Sequence, residues 1–177
     1  QLNILFDEDN DSFESLVVES FPTNESDDVE YKLADGGFPN EFWSTYSAFA
    51  NTSGGVIILG VKETKNGLQF NGIEESKIPV LLKSFWDLVN NTQKVSTCVC
   101  SSSDVLTLSY QNKKFLAFRV PAATRTQKPV YLKGNPIDNT YKRNYEGDYV
   151  CTREEVHRML ADADLNLHAD NRILEGF

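Results

Sequence analysis

A helix, two glycines and an uninterrupted apolar run follow one another in the first third of the chain. Phe42, Tyr46 and Phe49 recur at helical spacing, which predicts an amphipathic helix from Glu41 to about Thr52. The following Gly54-Gly55 predicts its C-terminal cap, because glycine adopts the left-handed conformation at little cost. The run 56–61 is apolar at almost every position, so we expect a strand that is buried on both faces.

The remaining patterns mix strands and helices without regular alternation. A further helix is predicted over 76–90, and Thr152 opens a capping box before a final helix. Strands are predicted at Val29–Leu33, Leu68–Ile73, Val95–Cys100, Val105–Tyr110, Phe115–Val120, Val130–Leu132 and Thr140–Arg143. This order predicts an α+β fold, a single domain with a mixed or antiparallel sheet and flanking helices. A length of 177 residues suits one domain, which we place at 1–164, with 165–177 as a linker to a C-terminal domain outside this chain.

Charge is distributed very unevenly along the chain. The formal net charge is −9, but residues 1–30 alone hold ten acidic residues and no lysine or arginine. Segment 113–143 holds eight basic residues and one acidic residue. Since phosphate binding depends on local positive potential, the acidic whole is compatible with a nucleic-acid partner. A solvated basic surface without a partner explains the segment equally well.

Several functional classes are disfavoured by what the sequence contains. The glycine pair follows a helix and precedes a strand, whereas a phosphate cradle needs the opposite order, so we expect no ATP binding. The three cysteines, Cys98, Cys100 and Cys151, have no framework or zinc-site spacing, which indicates free thiols in a reducing compartment. With no long apolar run and no leader pattern, we expect a cytoplasmic protein with no membrane partner and no cofactor.

Several short motifs together resemble one family. They are Glu25-x4-Glu30-Tyr31-Lys32, Ala48-Phe49-Ala50-Asn51-Thr52-x-Gly54-Gly55, Ile58-x-Gly60-Val61, Lys128-Pro129-Val130-Tyr131 and Tyr141-x-Arg143. This set is similar to the Schlafen/AlbA-like domain, also described as the divergent AAA family, which stands at the N-terminus of bacterial transcriptional regulators. The resemblance implies a nucleic-acid-binding domain, with DNA as the expected ligand, in a regulator that continues beyond this chain.

The same resemblance implies an alternative activity. In eukaryotic Schlafen proteins the two glutamates of Glu-x4-Glu and an acidic residue after Gly-Val form a metal-dependent ribonuclease site, and the matching positions here are Glu25, Glu30 and Glu63. Clustered carboxylates bind Mg²⁺ or Mn²⁺, which stabilise phosphoryl displacement. The competing interpretation is that Glu30 pairs with Lys32 or Arg143 while Glu25 caps a turn.

The basic segment supplies the candidate contacts to nucleic acid. They are Lys113, Lys114, Arg125, Lys128, Tyr131, Lys133, Tyr141, Lys142 and Arg143. Loop 122–128 is the expected phosphate contact, and Tyr131 and Tyr141 are the expected stacking residues. Asn51 and Thr52 either face a ligand or satisfy backbone groups at the helix end. A protein-interaction domain, favoured by the acidic first 30 residues, and a homo-oligomer are both left open.

Overall fold

The computed structural model describes residues 2–4 and 28–175, with side chains described from 28 to 165. The α+β prediction is confirmed. The strands are β1 (Leu2–Ile4), β2 (Val29–Lys32), β3 (Gly55–Leu59), β4 (Val61–Thr64), β5 (Gly67–Phe70), β6 (Val105–Tyr110), β7 (Lys113–Val120), β8 (Tyr141–Asn144) and β9 (Gly147–Val150). The helices are α1 (Phe42–Asn51), α2 (Ile78–Val89) and α3 (Arg153–Glu175), with 3-10 turns at Glu75–Lys77 and Ser102–Asp104.

Five strands form the main sheet in the order β1-β6-β7-β3-β2. Only the β2–β3 pair is parallel, and the other pairs are antiparallel. The predicted strand at 56–61 is thus confirmed near the centre of the sheet, but it ends at Leu59. Gly60 has a φ of +106°, a left-handed backbone that interrupts the strand, and Val61 begins a separate β4–β5 hairpin.

Side chains of β3 alternate between two buried clusters, as the apolar run predicts. Ile57 faces the helices, where it packs with the aromatic residues of α1 and α2. Ile58 faces the opposite side, where Leu68 and Phe70 of the β4–β5 hairpin cover part of the sheet. The strand therefore joins both halves of the core. Its alternation also sets the direction of Glu30 on the neighbouring β2, since Val29 and Tyr31 lie in the second cluster.

The close packing of α1 against the sheet accounts for the glycine pair. Gly54 has a φ of +75° and donates its backbone N–H to the carbonyl of Phe49, which closes the helix as predicted. A Cβ at residue 54 would lie 2.8 Å from the Val120 carbonyl oxygen. The chain thus turns directly from α1 into β3, and the C-terminal end of α1 lies beside the end of β7.

Two predicted strands are wrong. Residues 95–100 and 130–132 form only isolated bridges, Val95 with Leu132 and Tyr131 with Thr140. Apolar residues at these positions lie in or against the core, but their backbones form no continuous hydrogen-bonded ladder. The alternation of apolar residues in the sequence therefore resembles that of a strand although no strand forms. Segment 122–140 is therefore irregular, and it leads into the small two-stranded sheet of β8 and β9.

The last helix begins at the predicted capping box, with the Glu155 N–H donating to Thr152 Oγ1. Val156 of this helix is buried, whereas Leu160 is exposed and does not lie on the packed face. The helix continues to Glu175, so it includes most of the predicted linker, whose role stays a prediction. None of the described helices combines the length and apolar character that crossing a bilayer requires.

Candidate nucleic-acid interface

Asn51, in the last turn of α1, is the centre of a hydrogen-bond network that holds the basic segment in place. Its Nδ2 donates to the carbonyls of Val130 at 2.9 Å and Tyr141 at 3.0 Å. Its Oδ1 accepts the N–H of Val130 at 2.8 Å. Asn51 thus satisfies backbone groups at the helix end, as one of the two interpretations expects, but these groups belong to segments distant in sequence. A single amide joins two distant segments to the helix.

Ser47 and Thr52 extend the same network along one side of α1. The Ser47 hydroxyl donates to the Val130 carbonyl at 2.7 Å and accepts the N–H of Tyr141 at 3.0 Å. Thr52 Oγ1 accepts the N–H of Arg143 at 3.0 Å. Val130 in the irregular segment, and Tyr141 and Arg143 at the start of β8, thus obtain backbone partners from these side chains. Asn51 and Thr52 of the central motif thus hydrogen-bond to the backbones of the two later motifs, at Val130, Tyr141 and Arg143. These contacts explain why the three motifs occur together.

Arg143 is buried within this network, with 5% of its surface exposed. Its guanidinium forms ion pairs with Glu30 at 2.9 Å and Asp148 at 2.8 Å, and it lies 4.9 Å from the centre of the Phe49 ring. Burial alone would lower the pKa of Arg143, but Asp148 and Glu30 outweigh it and raise that pKa. In this arrangement Arg143 holds β8, β9 and β2 against α1 and is not presented to a ligand.

Loop 122–128 lies at the C-terminal end of α1, where the Ala123 N–H donates to the Ala50 carbonyl at 2.8 Å. Arg125 is exposed and Lys128 is half-buried. Both line a small hollow of about 170 Å³ with Asn51, Met159 and Asp162. Among the ion pairs of the described residues, none involves Arg125, Lys128 or the exposed Lys133. The charges of these three cations are therefore available, with Arg125 and Lys128 at the same hollow and Lys133 further along the segment.

The other predicted cations are placed differently. Lys113 and Lys114 begin β7, seven and six residues before Val120, so they lie roughly 20–23 Å from the end that leads into the loop. Lys113 donates to the Phe70 carbonyl and Lys114 to Ser109 Oγ. Lys142 donates to Glu155 at 2.8 Å, a hydrogen bond that raises the pKa of Lys142 and lowers that of Glu155. The structure thus does not bring segment 113–143 together as one surface.

The tyrosines divide in a way that sequence reasoning missed. Tyr141 packs against the main core, and Tyr131 is half-buried. Tyr145, at the turn of the β8–β9 hairpin, is 83% exposed, and Tyr149 on β9 is 54% exposed. The Asn144–Gly147 spacing is the signal that a hairpin tip lies between these residues. The accessible rings are thus those of the hairpin.

The carboxylates of the nuclease alternative are placed only in part. Glu30 and Glu63 line the same open cleft, of about 370 Å³, together with Glu41, Lys32 and Lys62. Glu30 Oε2 pairs with Arg143 and Oε1 lies 3.6 Å from Lys32 Nζ, so the interpretation as an ion-paired residue is confirmed.

Both oxygens of Glu30 are thus occupied by cations of the protein. No group of three candidate ligands able to hold a metal ion occurs among the described residues. This part of the chain does not fit Mg²⁺ or Mn²⁺ by itself. Glu25 lies outside the described residues, so the three-carboxylate site stays a prediction.

One known protein family matches the part of the chain that contains this hydrogen-bond network. The family model described as Schlafen, AlbA_2 matches residues 25–152. That range includes the central motif, the segment it holds and the β8–β9 hairpin. The chain belongs to the Schlafen, AlbA_2 family, which confirms the resemblance seen in the motifs. Family membership makes this a nucleic-acid-related domain.

Two solved structures are similar to the chain. The N-terminal domain of a RecG-related protein from Nitrosomonas europaea is 24% identical, with a TM-score of 0.49, covering 78% of this chain and 92% of that one. The DIP2311 protein from Corynebacterium diphtheriae is 18% identical, with a TM-score of 0.55, covering 86% of this chain and 28% of that one. The second likeness supports the fold alone. No curated protein matches the sequence at a significant level.

Proposed function

We propose that this chain is the DNA-binding domain of a bacterial transcriptional regulator, and that it contacts phosphates through Arg125, Lys128 and Lys133. The observation that carries the proposal is the Asn51 network. It fixes Val130, between these cations, to the end of α1. These cations have no ion-pair partner among the described residues, and a rigid helix holds the segment that carries them. Such cations are suited to contact the phosphates of a nucleic acid and so to position it.

Salt dependence is the most direct test, because each neutralised phosphate releases a condensed counterion. We would measure the affinity for a fluorescent DNA duplex over a series of salt concentrations, in EDTA, for the parent chain and for Arg125→Ala/Lys128→Ala/Lys133→Ala. The slope of log affinity against log salt should become shallower by roughly one unit for each contact that is lost.

A matched variant controls for net charge. Lys65, Lys77 and Lys83 are also exposed but lie on the β4–β5 turn and around α2. Lys65→Ala/Lys77→Ala/Lys83→Ala removes the same charge and should leave the slope nearly unchanged. If the two triple variants behave alike, segment 125–133 is not the contact surface. Failure of the parent chain to bind any oligonucleotide would favour the protein-interaction alternative.

A cleavage assay separates binding from the nuclease alternative. Labelled RNA is incubated with the parent chain in Mn²⁺ or Mg²⁺, and separately in EDTA. On the binding proposal, the RNA stays intact in each condition. Metal-dependent cleavage that disappears in Glu63→Gln would contradict a role in binding alone, since Glu63 is exposed and its replacement should leave the fold intact.

A further inference from the structure

The β8–β9 hairpin has two faces with different chemistry. Its inner face carries Arg143, which is held by Glu30, Asp148 and the Phe49 ring. Because side chains alternate along a strand, Lys142 lies on the outer face. Lys142 stands directly opposite Tyr149 in the register of the two strands. An aromatic ring and a cation are therefore cross-strand neighbours on the outer side of a firmly anchored hairpin.

Tyr149 is placed close to the surface of the hairpin. A Cβ on Gly147 would lie 2.7 Å from Cε2 of the Tyr149 ring and 3.0 Å from its Cζ. The ring thus lies against the backbone at residue 147 while 54% of the residue remains exposed. Tyr145, at the turn, has a φ of +54° and is 83% exposed. Two large rings are therefore accessible within five residues of the hairpin.

Tyr131 belongs to the same face. It forms an antiparallel bridge with Thr140, two residues before Lys142, so the side chains of Tyr131 and Lys142 lie on one side. The exposed Lys133 follows Tyr131, and its N–H donates to the carbonyl of Lys94. We call Tyr131, Lys142 and Tyr149, together with Tyr145 at the adjoining turn, the tyrosine face. Tyr131 is its half-buried end, beside the fully buried Thr140.

We infer that the tyrosine face binds a single-stranded stretch of nucleic acid by base stacking. This inference rests on the proposed function and specifies which form of nucleic acid this surface takes. In a duplex the base faces are covered by their neighbours, whereas each base of a single strand offers a face to an aromatic ring. The exposed Lys133 beside Tyr131 attracts the phosphates that follow the bases, whereas the charge of Lys142 is paired with Glu155. Glu146, exposed at the tip, and Glu155, which pairs with Lys142, are unfavourable charges beside this surface and limit its affinity.

The test compares strand and duplex binding in Tyr145→Ala/Tyr149→Ala and in Tyr145→Phe/Tyr149→Phe. With a fluorescent oligothymidylate as the probe, the alanine pair should lose roughly tenfold or more in affinity. The phenylalanine pair keeps both rings and should bind like the parent chain. Duplex affinity should be unchanged in both. Glu146→Gln should tighten binding of the single strand, and thermal melting checks that every variant is folded.

The outcomes separate this inference from the proposal on which it rests. If the parent chain binds duplex and single strand, and the alanine pair binds the single strand equally well, the tyrosine face is not a stacking surface although the proposed function stands. If the parent chain binds neither probe, both ideas fail. The double alanine variant could also bind both probes like the parent chain but sediment as a smaller species. The two rings would then mediate contact between copies of the chain, and the inference is overturned.

Discussion

The main sheet and segment 122–150 are stabilised in different ways. In the sheet, β3 pairs along its whole length with β2 and β7, and its side chains are buried on both faces. In segment 122–150, the first part has no continuous ladder and is held at Val130 by Ser47 and Asn51, while Thr52 binds the backbone of Arg143 in β8. In the sheet, each apolar side chain contacts many others. In the segment, each hydrogen bond depends on a single polar side chain.

This difference has a consequence for mutation. Loss of a methyl group in the sheet removes part of a shared contact, and neighbouring side chains relax around it. Loss of one of the polar side chains that hold segment 122–150 leaves buried backbone donors or acceptors without a partner. The resulting loss of stability is larger than the contribution of the hydrogen bond itself. The candidate interface is therefore positioned by a few polar residues, and the sheet serves as the rigid support beneath them.

Arg143→Ala should give the largest loss of stability. It removes a buried cation that pairs with both Glu30 and Asp148. Breaking a buried pair from one side typically costs about 3–5 kcal/mol in the free energy of unfolding, because the remaining charge is left without compensation. Urea denaturation followed by circular dichroism measures it.

Ile57→Val is the matched change in the sheet, at a residue that is fully buried. It should cost only about 0.5–1.5 kcal/mol. A larger loss for Ile57→Val than for Arg143→Ala would reverse the comparison and show that segment 122–150 contributes little to the folded state.

Asn51→Ala should give the next largest effect, a loss of about 2–4 kcal/mol from buried backbone groups that lose their partners. The Val130 N–H and the Tyr141 carbonyl are the groups concerned. Amide hydrogen exchange at Val130 should accelerate more than exchange in β3, which would place the loss in segment 122–150. Asn90→Ala is the control, since its amide donates only to the exposed end of α2. Equal losses in both variants would contradict a special role for Asn51.

The regular elements could be predicted from sequence because their patterns are local. The period of Phe42, Tyr46 and Phe49 indicates α1, and the apolar run after Gly55 indicates β3. Thr152 is also confirmed as the cap at the start of α3. In each case the residues that determine the structure are neighbours in the chain.

The candidate site could be predicted only in part, because its contacts are distant in sequence. Asn51 and its partner Tyr141 are 90 residues apart, and no local pattern indicates their hydrogen bond. The basic composition of 113–143 gave no sign that Arg143 is buried or that Lys113 begins the far end of β7. The family resemblance identified the motifs that meet, and the structure supplies the way in which they meet.

Glu155→Gln should give the smallest effect, and one that depends on pH. Glu155 pairs with Lys142, which joins α3 to the outer face of the hairpin. The hydrogen bond from Lys142 holds the pKa of Glu155 below its ordinary value of 4.5. A carboxyl whose pKa is lower in the folded state stabilises the fold above about pH 4.5, and the contribution disappears as the pH falls through the lowered value.

At neutral pH, Glu155→Gln should therefore lower the Tm by no more than about 2 °C, since the pair is partly exposed to solvent. The Tm difference from the parent chain should close as the solution is acidified below the pKa of Glu155. Asp87→Asn is the matched control, because it removes the exposed Lys83–Asp87 pair far from the hairpin. Nucleic-acid affinity should not fall in either variant. A Tm difference that persists in acid would mean that Glu155 stabilises the α3–hairpin contact by packing and not by its charge.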